Sequence, residues 1–174
     1  MRHPLEFIPQ HLRKPLFYVF FVLTIVIFGV FSVLDMPLRT SVAPSGIVSF
    51  ELAGNVKTAQ AVIDSWNSDA RLFAAFGLGL DYLFMPVYMF ALSLGLLFAM
   101  NRKTGWYYFF AMWMGWGAFT AMIFDAVENY ALWRVLTGNV VSPYPEVAAL
   151  CATIKFILLV TGLITIAAGK VIPK

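Results

Sequence analysis

Apolar and polar positions along the chain fall into four long blocks and one short alternating one. Residues 16–34, 82–100 and 104–124 contain no Asp, Glu, Lys or Arg. Each stretch is long enough to cross a bilayer, which takes about 20 apolar residues at a rise of about 1.5 Å each. The pattern predicts four transmembrane helices, over residues 16–35, 72–100, 105–133 and 147–169. The expected fold class is therefore all-α: a polytopic membrane protein built as a four-transmembrane-helix bundle, forming one integral-membrane domain over residues 1–174.

The alternating block lies in the first connection. Residues 36–70 are too long for a plain connector, and loops of that length usually carry structure or function of their own. Ala59, Val62, Ile63 and Trp66 recur at i, i+3, i+4 and i+7, with Lys57, Gln60, Asp64 and Ser65 between them. Asn55 is placed to cap such a helix. This spacing predicts a short amphipathic helix over residues 55–67, lying on the outer membrane surface. The apolar stretch 46–54 before it carries Glu51 and is expected to dip back over the bundle.

Composition agrees with the pattern and narrows the chemistry. The chain is 61% hydrophobic and 12% charged, about half the charged share of an ordinary soluble domain. Cys151 is the single cysteine, which excludes an internal disulfide, a CxxC redox pair and a Cys-rich zinc site. His3 and His11 both precede the first span, so no predicted span offers an imidazole to a haem or a His-rich metal centre. Nucleotide-binding, zincin and nucleophile-elbow strings are absent. No cofactor and no metal site are expected.

Charge placement sets the topology. The segment before the first span carries Arg2, Arg13 and Lys14 and is broken by Pro4, Pro9 and Pro15. Its apolar stretch exceeds the ~7–15 residues of a secretory h-region, and no small-x-small site follows, so it reads as a retained first helix. Arg2, Arg13, Lys14, Arg102, Lys103, Lys170 and Lys174 fall on one face of the predicted topology, against Arg39, Lys57, Arg71 and Arg134 on the other. Cytoplasmic flanks are enriched in Lys and Arg, so both termini are expected in the cytoplasm, with the chain in a bacterial cytoplasmic membrane. Trp106, Tyr107, Tyr108 and Trp133 fit interfacial aromatic belts. The net charge of +3 comes from flanks of apolar spans, and nucleic acid is not an expected partner.

Four charges do not behave as flanks: Asp81, Asp125, Glu128 and Lys155. Ionisable groups within apolar spans are functional-site candidates. Counted along the helices, Asp81 lies ~28 Å above Met100, Asp125 ~31 Å above Thr104 and Lys155 ~21 Å above residue 169. Lysine's stem can lift its ammonium further, which would bring all four to one level in the outer half of the bundle. At 100° per residue, Asp81 shares a stripe with Ala74, Gly77, Tyr88, Gly95 and Ala99; Glu128 with Gly117 and Ala121; Lys155 with Ala148, Cys151 and Gly162. Small residues mark faces where membrane helices pack closely, so the charges are expected to face inward.

Asp125, Glu128 and Asn129 form one polar patch on a helix turn. Pro86 frees the carbonyl of Tyr82, and Tyr82, Tyr88, Tyr130 and Trp133 are candidate aromatic walls. Three carboxylates against one ammonium sum to −2, an excess that calls for protons, a cation, or Arg71 and Arg134 nearby. Two plainer readings compete: Asp81 and Asp125 at the solvated headgroup level, and Lys155 as one half of a structural ion pair.

The candidate ligand-binding set is Asp81, Asp125, Glu128, Asn129, Lys155, Tyr88 and Glu51, with no catalytic residue assigned. It fits an integral membrane protein that binds a lipid, an amphipathic small molecule or a cation at a buried carboxylate and lysine site. A second reading is a membrane-embedded lipid-modifying enzyme of the acid/base isomerase type. In helix count and acidic pocket the chain resembles the sterol-isomerase and sigma-2 receptor architecture, which implies a lipid-like ligand. A third is a non-catalytic accessory or assembly subunit. The expected partners are thus the lipid bilayer, a lipid or amphipathic small molecule, and a larger membrane complex or homo-oligomer.

Overall fold

The computed structural model describes residues 2–100 and 104–169. Their regular secondary structure is all helical, with no strand among the described residues: α1 (Gln10–Leu34), a 3-10 turn (Met36–Leu38), α2 (Ile47–Glu51), α3 (Val56–Asp64), α4 (Ser68–Ala99), α5 (Gly105–Leu136) and α6 (Tyr144–Ala168). Helices α1, α4, α5 and α6 are long and apolar enough to span a bilayer. The chain is an integral membrane protein with the four-transmembrane-helix bundle fold. Arg102, Lys103, Lys170 and Lys174, which carry part of the expected topology, lie outside the described residues.

Local capping extends the helices beyond the apolar blocks that announce them. α4 starts at Ser68 because the Asn67 side chain accepts the amide of Ala70 at 2.8 Å. α5 continues to Leu136 and closes on Gly138, whose φ of 100° only glycine adopts readily. There the amide of Asn139 reaches the carbonyl of Arg134 at 2.9 Å and that of Gly138 reaches Val135 at 3.1 Å, the paired bonds of a Schellman end. α4 and α5 have 32 residues each, or ~48 Å of helix against a hydrocarbon core of ~30 Å. Their surplus turns give the first connection something to pack on.

The chain divides into two compact units, each taking part of every long helix. One unit, the capped unit, comprises Val26–Met85 and Phe124–Ile154. Its cap is the structured first connection. Asp35, just past α1, accepts the amide of Ile47 at 2.7 Å on one carboxylate oxygen and Arg39 Nε at 2.9 Å on the other. That grip fixes the start of α2. Gly46 occupies a φ of 58°, and a Cβ there would collide with the Asp35 carboxylate. Asn55 caps α3 through Thr58 at 2.9 Å.

The amphipathic helix is present, with Lys57, Gln60 and Asp64 exposed and Ala59, Val62, Ile63 and Trp66 buried. Its apolar face does not rest on lipid, as the spacing alone suggested. It joins a cluster with Phe50, Leu78, Ala131, Leu132 and Val135, so protein covers that face. Burying a side chain of this size stabilises by ~1.5–3 kcal/mol relative to leaving it exposed. Trp66 settles the matter chemically, because its indole N–H donates to the carbonyl of Leu38 at 2.8 Å inside the cap.

The other unit comprises the residues up to Ile25, Pro86–Ile123 and the chain from Lys155 onward. Its core gathers Leu94, Leu97, Met100, Tyr107, Ala111 and Met112. Glycines on the predicted small-residue stripes allow close approach: Gly95 faces Ile166 and Phe17, and Gly162 faces Leu92. Tyr107 enters this core by donating its hydroxyl to the carbonyl of Thr165 at 2.7 Å. Leu5 and Ile8, ahead of α1, also belong to it, so the segment before the first span is packed and not a loose flank.

Candidate functional site

In the capped unit, α4 and α5 bring Asp81 and Asn129 into direct contact. Asn129 Nδ2 donates to Asp81 Oδ2 at 2.8 Å and to the carbonyl of Leu78 at 3.3 Å. Both amide hydrogens are thereby committed, and the side-chain oxygen remains as an acceptor. Asn129 is 1% exposed, Asp125 2% and Glu128 0%, while Asp81 is half-buried. The polar turn of α5 thus faces protein, as the small-residue stripe through Ala121 suggested.

The solvated-headgroup reading of these acids does not fit this burial. Glu128 lies eight residues before the end of α5 and Asp81 thirteen after the start of α4, or ~12 and ~20 Å along the helices. Turns that carry Leu132, Val135, Ala74 and Leu78 lie beyond them, within the apolar cluster of the cap. On the α3 side the rings of Trp66 and Phe50 pack edge to face at 5.3 Å.

A groove of about 290 Å³ opens on the flank, lined by Leu78, Gly79, Tyr82, Asn129, Tyr130 and Trp133. Tyr82, Tyr130 and Trp133 are each about half exposed, and they stand on the sides of spanning helices where lipid is the solvent. Tyr82 also ties the two helices together by donating its hydroxyl to the carbonyl of Ala126 at 3.3 Å. Asn129 forms the polar floor between aromatic walls, with Asp81 bonded behind it. Gly79 keeps that wall low, since a Cβ there would meet nothing within 4 Å.

The remaining expected residues are placed as follows. Lys155 and Tyr88 belong to the other unit, where both are 6% exposed and Lys155 Nζ lies 4.9 Å from the ring centre of Phe156. Glu51 ends α2 in the cap and is half-buried. Asp81, Asp125, Glu128, Lys155, Glu51 and Tyr88 each make further interactions. Arg71 and Arg134, one of three alternatives for offsetting the acids beside protons and a cation, make these contacts. Arg71 donates to the carbonyls of Ile63 at 2.9 Å and Trp66 at 3.2 Å, bracing the cap. Arg134 donates to the Tyr130 hydroxyl at 3.0 Å and lies 5.0 Å over the Tyr144 ring. Among the described residues no three His, Cys, Asp or Glu side chains group to hold a metal ion.

Sequence reasoning named Tyr82, Tyr130, Trp133 and Asn129 but missed Leu78 and Gly79. Their signal was available: Leu78 and Gly79 lie one helical turn from Tyr82 and so share its side of α4. Fold and site together define a helical integral membrane protein with buried acidic and basic side chains. No protein-family model, curated protein or solved structure matches the chain.

Proposed function

We propose that the capped unit takes up an amphipathic molecule sideways from the bilayer. The ligand's apolar body lies along Tyr82, Tyr130 and Trp133, and a head that donates hydrogen bonds, an amine or a hydroxyl, points at Asn129 and Asp81. The observation that carries this reading is the flank groove with a polar floor, because an aqueous ligand would need an entrance through the cap. Asn129 presents only an acceptor once its two N–H groups are used, and Asp81 is an acceptor when ionised, so the floor selects donors. The aromatic walls suit an ammonium as well as a hydrocarbon body.

A photoreactive long-chain alkylamine, added to the full chain in lipid nanodiscs, tests the proposal. Crosslinks are expected on the turns that carry Tyr82, Tyr130 and Trp133, reduced several-fold in Asn129→Leu. Crosslinks spread evenly over the lipid-facing helices would sink it.

One observation favours the enzyme reading: Asp125 and Glu128 are two buried carboxyl side chains one turn apart beside this groove's floor on α5. A pair of that kind can divide the roles of acid and base if its proton affinities differ. Turnover of an extracted lipid pool by the wild-type chain, lost in Glu128→Gln, is the expected result under that reading. The excess of Lys and Arg on the side of Arg2, Arg13 and Lys14 supports cytoplasmic termini in a bacterial inner membrane. Exposed aromatic surface on α5, including Trp106 and Trp113, is compatible with assembly into a larger complex or homo-oligomer, which blue-native electrophoresis would read.

A further inference from the structure

The segment ahead of α1 is held by an unusual anchor. His3 is 2% exposed, and its ring rests on Gly115 of α5, where even a Cβ would collide with it. Its Nδ1 accepts the amide of Leu5 at 3.2 Å, so the proton of the neutral ring sits on Nε2. That Nε2 is buried with no hydrogen-bond partner among the described residues. The rest of the segment closes around this ring. Trp116 donates its indole N–H to the carbonyl of Arg2 at 3.1 Å, and Arg13 bridges the carbonyls of Glu6 at 2.6 Å and Ile8 at 2.8 Å.

We infer that residues 2–8 form a strap that docks on α5 only while His3 is neutral, and that acid releases it from the core of this unit. Docking excludes the imidazolium on geometric grounds. A protonated Nδ1 would point its hydrogen at the Leu5 amide hydrogen, replacing one hydrogen bond by two facing donors. A charged ring would also sit on Gly115 with nothing to accept from Nε2.

The charged surroundings act in the same direction. Burial foremost, and then the Arg13 guanidinium on α1, lower the His3 pKa from 6.5 to about 4. α5 meets the ring with Gly115, which does not titrate, and holds the Arg2 carbonyl through Trp116, while α4 brings the Ser93 hydroxyl to the Gly115 carbonyl at 3.4 Å. In the apolar cluster around Leu5 and Ile8 the ionisable side chains are Tyr107, engaged with Thr165, and the partly buried Tyr108 packed against that cluster. Glu6, within the strap, is exposed and offers its carbonyl to Arg13. Because the docked pKa lies below that of the free ring, docking is at full strength above pH 6.5 and weakens as pH falls through about 4. That separation corresponds to roughly a 300-fold loss in the docking equilibrium.

Hydrogen exchange of the full chain in nanodiscs reads the strap directly, as protection of the Leu5 amide relative to its intrinsic rate at each pH. Protection is expected to fall by up to roughly 300-fold between pH 7 and pH 3.5. His3→Asn keeps an acceptor two residues before Leu5 without a titrating group, and its protection is expected to stay flat over the same range. Equal pH dependence in His3→Asn and wild type, or a flat wild-type profile, overturns the inference. The ring can also be titrated by NMR without any variant. An apparent pKa near 4 is expected, and one near 6.5 overturns the docked, neutral state.

Discussion

Around Asn129 the capped unit keeps amide and carboxylate groups within its packed interior. Around Met112 the other unit packs Leu94, Leu97, Ala111 and Tyr107, whose hydroxyl donates to Thr165. Both are assembled from turns of the same four long helices. The other unit, which also buries Lys155, Ser93 and Thr165, closes its interior with side chains and with a strap from its own chain. The capped unit closes its end with α2 and α3 but leaves a groove on the flank. The contrast teaches that the two units close their interiors with different parts of the chain, α2 and α3 in one and the segment ahead of α1 in the other. Under the proposed function, the ligand for the flank groove comes from the bilayer.

The seal is where substitution should do most damage. Trp66→Ala removes a buried ring and its bond to Leu38, and a loss of ~3–5 kcal/mol is expected, read as a lowered unfolding midpoint in detergent. Leu94→Ala in the other unit should cost ~2–5 kcal/mol by cavity formation, without changing amine crosslinking at Tyr130. A Leu94→Ala effect on crosslinking would break the separation of roles between the units. Asn129→Leu leaves Asp81 and the Leu78 carbonyl without the amide donor and should cost ~1–3 kcal/mol while removing the selectivity for donor heads. Asn55→Ala, at the exposed end of α3, should cost only ~1 kcal/mol and leave the groove unaffected.

Much of this organisation was legible in the chain. Charge-free runs located the spans, because excluding charge is what a bilayer demands, and the Ala59, Val62, Ile63, Trp66 spacing located α3. What that spacing could not reveal is which apolar surface α3 covers, since lipid and protein reward the same face. Small-residue stripes pointed Asp125 and Glu128 inward, and both are buried. Tyr88 shares a stripe with Asp81 two turns away along α4 and belongs to the other unit. The roles of Arg71 and Arg134 depended on which carbonyls and rings lay within reach, which no spacing along one helix encodes. His3 was hidden for another reason: a histidine ahead of a span reads as a tail residue unless the glycine that seats it, 112 positions later, is known to face it.

The central claim is that the flank groove selects amphiphiles by a donating head. Thermal unfolding of the nanodisc-embedded chain, with a long-chain alkylamine compared with an alkyl sulfate of equal chain length, tests it most directly. At a hundredfold excess over the dissociation constant a bound ligand adds ~2.7 kcal/mol. The account predicts stabilisation by the amine, little or none by the sulfate, and loss of the difference in Asp81→Asn combined with Asn129→Leu. Equal shifts from both amphiphiles, or an amine shift unchanged in that double variant, would contradict it.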